Sequence, residues 1–390
     1  MSRGADRRFP ATAGGWLVVA LAALTLGGAA KAPFDPMNPR DATTFPRAHG
    51  AHPGSPLEWW YLTGRLEDGD GRSMGFQVTF FRARIDAASA GVGAAPNPSA
   101  WRPGDIYFAH YAISDLKARF YRFDERIGRT SVALAGSDST DLNVRIRDWS
   151  LRRLPSGVFR VHTAGDLGDL TLDLTPSRST PVAWGPQYFS AKNAAGTSFS
   201  RYHSDPRMRA QGTYTAPGAP ARGMRGTVWY DHEWSGGAYD STLKGWDWFG
   251  LRLRDGRSVM LYRMRDRQGG TSYLFGGIVD RAGRVRTFTR EDVTMNALRY
   301  WTSSKTGARY PLSWDITIRP SGEAPLRLTV SATLSDQELT TERSTRVAYW
   351  EGYVEGKEEE ADPDVRVEGY MELTGYAGGG VPGRMSNVGR

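Results

Sequence analysis

Residues 245–265, GWDWFGLRLRDGRSVMLYRMR, alternate bulky and polar side chains, turn at Asp255-Gly256 and alternate again. Successive side chains of a strand point to opposite faces, so a period of two on both sides of an Asp-Gly turn reads as a half-buried β-hairpin. The same pattern occurs earlier in the chain. Trp59-Trp60-Tyr61, Leu66, Asp68 and Gly71-Arg72-Ser73 overlay Trp246-Asp247-Trp248, Leu253, Asp255 and Gly256-Arg257-Ser258, with two extra residues in the first turn. Two such hairpins half a chain apart predict two halves built alike; a chance match between Gly-rich β segments is the alternative.

The rest of the chain agrees with a β reading. IYFAHYAIS from Ile106, LTLDLTPS from Leu170, WDITIRP from Trp314, LRLTVSATLS from Leu326 and YWEGYVEG from Tyr349 alternate as strands do, and helical periodicity is scarce. With 46 Gly and 22 Pro punctuating short segments, the composition suits an all-β barrel or sandwich. A chain of 390 residues exceeds what one hydrophobic core usually serves, so two domains are expected. The expected division is an arm at 33–44, a first β domain at 45–215 and a second at 222–390. TYTAPGAPARG, from Thr213 to Gly223, is the candidate linker.

Arg3, Arg7 and Arg8 precede an apolar run from Gly14 to Ala30, and small residues flank Lys31. That pattern predicts a signal peptide at residues 1–32 and a periplasmic or secreted protein, with an uncleaved anchor as the alternative. There is no cysteine, hence no disulfide, thiolate metal site or Cys nucleophile. The net charge of +8 is dispersed over alternating strand positions rather than gathered on one element, which excludes a nucleic-acid binder. Association with a membrane surface and the oligomeric state stay open.

Just ahead of the second hairpin, GTVWYDHEWS places Asp231, His232 and Glu233 among Trp229, Tyr230 and Trp234. Ionisable groups set among large rings suit a partly buried polar cluster, either a proton-handling site or a structural network. Asp247, between Trp246 and Trp248, joins them as a candidate catalytic residue. Glu58, Trp59, Trp60, His110, Trp234, Trp246, Trp248 and Tyr262 are candidate ligand-binding residues. Each has a structural alternative: an ion pair for Glu58, a hydrogen-bonded core histidine for His110, barrel core for the tryptophans. His49 and His52 lie close in sequence, but with no third ligand in view no metal is expected. No cofactor is expected either. Without a G-x-S-x-G elbow, serine-hydrolase chemistry finds no support.

FPRAHGAHPGSPLEWWYLTGRL (from Phe45), YFAHYAISDL (from Tyr107), SFSRYHSDPRMRAQGTY (from Ser198), WYDHEWS (from Trp229) and GWDWFGLRLRDGRSVMLYRMR together resemble the lipocalin-like family that contains the carotenoid 1,2-hydratases and predicted secreted hydrolases, with the closer likeness to the secreted-hydrolase branch. The resemblance implies two lipocalin-like β-barrel domains packed together around a ligand cavity. For the hydratases it implies a carboxylic acid that protonates an isoprenoid double bond, after which water captures the cation. His232 and Trp234 match the hydratase His-x-Trp and Tyr262 is present, but the hydratase acid position is Met264, which cannot give a proton. The expected function is therefore binding of a largely apolar, isoprenoid or lipid-like small molecule, with acid-catalysed hydratase, lyase or hydrolase chemistry. The alternative is a carrier that performs no reaction.

Overall fold

The structure, a computed structural model, describes residues 42–84, 104–131, 133–236, 242–359 and 365–378; the expected signal peptide lies outside the described residues. Among the described residues, apart from three single-turn 3₁₀ segments, the regular elements are β-strands in two curled, nearly closed sheets. Among the described residues no helix is long and apolar enough to cross a membrane. The all-β architecture expected from the alternation, with the two barrels that the family resemblance implies, is what the chain adopts.

The first sheet is an antiparallel meander of β1 (Leu57–Asp68), β2 (Ser73–Arg84), β3 (Asp105–Asp115) and β4 (Phe120–Arg129). On the other side of β1 lie β5 (Phe199–Thr215) and β6 (Arg222–Ser235), with β6 directly beside β1. Short strands between Ala135 and Thr175 carry the sheet from β5 back toward β4. The second sheet repeats the plan. β7 (Leu243–Leu253), β8 (Ser258–Asp266) and β9 (Thr271–Val279) form the meander, and the last strand pair, β10 (Ala348–Glu359) and β11 (Arg366–Leu373), returns to place β11 beside β7. In each half the final strand closes on the first, as duplicated hairpins would require. One expectation is corrected: Thr213–Gly223 is not a linker but the turn of the β5–β6 hairpin, and the chain passes between sheets after Ser235. The turn-forming residues Pro217 and Gly218 are read equally well by a hairpin tip and a linker, and only the pairing of β6 with β1 separates the two.

Alternation sorts each strand between two environments. Trp60, Leu62, Phe76, Val78, Phe80, Val228 and Tyr230 face the interior of the first barrel. Phe249, Leu251, Leu261, Trp314 and Met371 fill the second. The opposite faces of β1, β6, β7 and β8 meet each other: Tyr61, Tyr202, Trp229, Trp248, Tyr262, Met264 and Tyr370 form a third buried cluster between the barrels. Burying a large apolar side chain contributes about 1.5–3 kcal/mol, so the seam is held mainly by these rings. Buried hydrogen bonds add to it, His110 Nδ1 to the Tyr349 hydroxyl at 2.7 Å and Ser114 Oγ donating to Gln337 Oε1 at 2.6 Å. At the centre Tyr61 and Trp248, corresponding positions of the two hairpins, meet edge to face at 5.3 Å. Gly250 lets the Trp248 ring lie back over its own strand, since a Cβ there would come within 2.4 Å of that ring.

Candidate active site between the barrels

A cavity opens within this seam. Its first wall is the outward face of β1, β2, β5 and β6, where register aligns Phe81, Trp59, Glu233 and Tyr202 in one row and Thr79, Tyr61 and Asp231 in the next. The second wall is a row across four strands, Tyr262, Trp248, Glu372 and Glu351, with Trp246 and Met264 beside it. The free space is narrow, about 60 Å³, enough for a few ordered waters with the rings in place.

Asp231 is buried and accepts hydrogen bonds from the Tyr202 hydroxyl at 2.7 Å, from Trp229 Nε1 at 2.6 Å and from Ser204 Oγ. Burial raises its pKa to about 7, against the pull of those three donors. At neutral pH its carboxyl therefore divides between acid and carboxylate, the condition in which one group can both give and take a proton. Glu233, two residues on and on the same wall, is held differently. Lys192 Nζ sits 2.6 Å from its Oε1, and Ser200 Oγ donates to the same oxygen at 2.5 Å. Lys192 also lies over the Tyr262 ring, 4.2 Å from its centroid, so the cavity carries a buried cation on an aromatic face.

Glu351 and Glu372 face this pair from the second barrel. They are direct cross-strand partners on β10 and β11 and both are fully enclosed. Burial first, and then the neighbouring carboxylates, push Glu372 up to about 8; burial and Glu372 push Glu351 well above the usual carboxylate range. Like charges this close in a dry site cannot both ionise near neutrality, so the pair retains a proton. The cavity thus holds four carboxyl groups, one ammonium and several phenols inside a box of indole and phenol rings.

Strand alternation divides the residues singled out in the sequence. Asp231, Glu233, Trp59, Trp246, Trp248 and Tyr262 line the cavity, as does Met264. His232 does not, because it lies between Asp231 and Glu233 on β6 and points into the first barrel. There it meets Glu58, its Nε2 2.9 Å from Oε1, and stacks on Trp60. Trp234 is on that inner face too, stacked on His52 at 3.7 Å. Glu58 is fully buried, 3.0 Å from Arg82 Nε and 2.7 Å from His52 Nδ1. His52 Nδ1, Glu58 Oε1 and His232 Nε2 all lie within 4.8 Å of one another, which makes them a set able to hold a metal ion. Asp247 likewise faces the inside of the second barrel, paired with Arg263 and Arg265 and accepting from the Tyr376 hydroxyl at 2.9 Å. It is a satisfied ion network away from the cavity. His110 is buried at the seam, bonded to Tyr349 and Ser344.

Lys192, Tyr202, Glu351 and Glu372 were not singled out in the sequence. Lys192 lies in a stretch without strong pattern, Tyr202 lies within the quoted stretch from Ser198 but was not picked out there, and the two glutamates sit 21 positions apart on different strands. The alternation Tyr349, Glu351, Tyr353 against Trp350, Gly352, Val354 was the available signal, but it marks a face without saying what that face meets.

Comparison with known proteins agrees with this architecture. The AttH-like family profile matches residues 36–376. The crystal structure of an AttH protein from Nitrosomonas europaea superposes with a TM-score of 0.78 at 31% identity, covering 88% of this chain and 99% of that one. Kievitone hydratase from Nectria haematococca shares the fold, with a TM-score of 0.61 at 17% identity over 88% of this chain and 98% of its own. No curated protein sequence matches the chain.

Proposed function

The chain belongs to the AttH-like family, and on that premise we propose that it is an enzyme of the hydratase or lyase type, adding water to or removing it from a largely apolar small molecule held between the barrels. The observation that carries this reading is Asp231, a buried carboxyl with a pKa of about 7 set into a box of aromatic rings. Hydration of an alkene needs a neutral acid to deliver a proton, a surface that steadies the resulting cation and a base that takes a proton from water. Asp231 fits the first role. The faces of Trp59, Trp246 and Trp248 fit the second, and the Glu351–Glu372 pair, of which one carboxyl can ionise while the other keeps its proton, fits the third. This arrangement supplies an acid without a carboxylate at Met264. Export to the periplasm or beyond belongs to the same proposal and rests on the leader-like residues 1–32.

The experiment is turnover of a panel of isoprenoid and aryl alkenes, and of the corresponding alcohols, in isotopically labelled water, followed by mass spectrometry. Incorporation of one labelled water by native protein, reduced about 10²- to 10⁴-fold in Asp231→Asn, is the expected result. Saturable binding of panel members without label incorporation would instead identify a carrier.

A further inference from the structure

The inner mouth of the first barrel collects four of the six histidines of the chain, His49, His52, His203 and His232, around the buried Glu58. This cluster lies on the opposite face of β6 from Asp231 and takes no part in the chemistry proposed above. We propose that it is a binding site for one first-row divalent cation of the kind imidazole favours, such as Zn²⁺, ligated by His52 Nδ1, Glu58 Oε1 and His232 Nε2.

The three ligand atoms converge already. His52 Nδ1 and His232 Nε2 approach the same Glu58 oxygen at 2.7 and 2.9 Å, and all three lie within 4.8 Å of one another. Two imidazole nitrogens and one carboxylate oxygen, with no thiolate, make a donor set suited to zinc and its neighbours rather than to magnesium or calcium, which prefer oxygen alone.

Each ligand is also oriented from behind. Trp234 stacks on His52 with an interplanar angle of 3°, and Trp60 stacks on His232 at 18°. The second oxygen of Glu58 accepts from Arg82 Nε at 3.0 Å and from the His52 backbone N–H at 2.9 Å, which turns Oε1 toward the imidazoles. Such outer contacts are what a ligand carboxylate requires to hold its direction.

A purely hydrogen-bonded network explains less. It leaves His49 Nδ1 and both ring nitrogens of His203 buried and without a partner, although buried polar atoms are normally satisfied. His203 is wholly enclosed and stands edge-on to His232, 5.1 Å between ring centroids. Its ring lies beside the ligand set, and neither of its nitrogens has a hydrogen-bond partner. His52 is 17% exposed, so the cation has a route in from solvent past a ligand that is itself near the surface.

The test uses the full chain without an affinity tag, stripped with chelator and then dialysed against Zn²⁺, Co²⁺ or Mg²⁺. Metal content by plasma mass spectrometry should reach one equivalent of Zn²⁺ or Co²⁺ and none of Mg²⁺, with a Zn²⁺-dependent rise of a few degrees in Tm, since an ion that binds only the folded chain stabilises it. His52→Asn, at the partly exposed ligand, is the variant least damaging to folding; it and His232→Gln should lose the bound metal and the Tm rise. His162→Gln, whose histidine bonds Thr171 on a separate strand pair, should keep both. Native protein that takes up no Zn²⁺, or uptake that persists in both His52→Asn and His232→Gln, would overturn the proposal.

Discussion

Replacing Asp231 by Asn tests the proton-holding carboxyl without any knowledge of the substrate. Asn keeps the shape and one acceptor oxygen, enough for the Trp229 and Ser204 donors that share Oδ1 but not also for the Tyr202 hydroxyl on Oδ2, and it cannot titrate. In the folded protein Asp231 has a pKa of about 7, against the 3.8 of an unperturbed aspartate. A group whose folded pKa is raised favours the folded state below its unfolded pKa, and that contribution disappears as pH rises through the folded value. The native protein should therefore lose stability relative to Asp231→Asn between pH 4 and pH 8. With one pKa unit equivalent to 1.36 kcal/mol, the change across pH 4.5 to 8 is about 3 kcal/mol. Urea denaturation of both proteins at half-unit steps of pH would measure it, and any constant cost of the Asn side chain cancels in the slope. Parallel stability curves across that range would refute the reasoning, because they would mean that Asp231 ionises like a surface aspartate and is not a neutral acid at pH 7.

Glu372→Gln should be more stable than the native protein above pH 8, where Glu351 and Glu372 are both driven to ionise, and should show no such advantage below pH 6; thermal melts at the two pH values decide it. Arg82→Met removes the guanidinium from the fully buried Glu58 and should cost about 3–5 kcal/mol, the usual effect of stranding a buried charge; a loss under about 1 kcal/mol in chemical denaturation would show that Glu58 does not depend on Arg82. Titration with isoprenoid or long-chain acyl compounds should quench tryptophan emission saturably, because Trp59, Trp246 and Trp248 line the cavity, and a flat response from ligand-free protein would count against an apolar ligand.

The fold was legible because strand alternation is local. Hairpins such as Leu57–Arg84 and Leu243–Asp266 carry their period and turn residues in a short window, and the echo between them foretold the repeated strand order. The site was half legible for the same reason. Aromatic residues at Trp59, Trp246 and Trp248 marked the lining, but adjacency in sequence made Asp231, His232 and Glu233 look like one cluster, whereas a period of two sends the middle residue to the other side of the sheet. Glu351 and Glu372 are brought together by the register of β10 against β11 and set opposite Asp231 by the packing of two barrels, and neither relation leaves a trace in a short window. The turn at Thr213–Gly223 was misread because glycine and proline mark a change of direction without saying how far the chain travels afterwards.

The meeting of Tyr61 with Trp248 gives the seam a mechanical meaning. A lipocalin-like barrel that holds a guest inside itself is entered through its own mouth, and its gate is a loop. Here the walls belong to separate barrels, each with its own core, so widening the cavity for a guest requires one barrel to shift against the other, a class of movement that runs on the microsecond-to-millisecond scale. A guest between them would be admitted by the parting of aromatic plates rather than by the lifting of a flap.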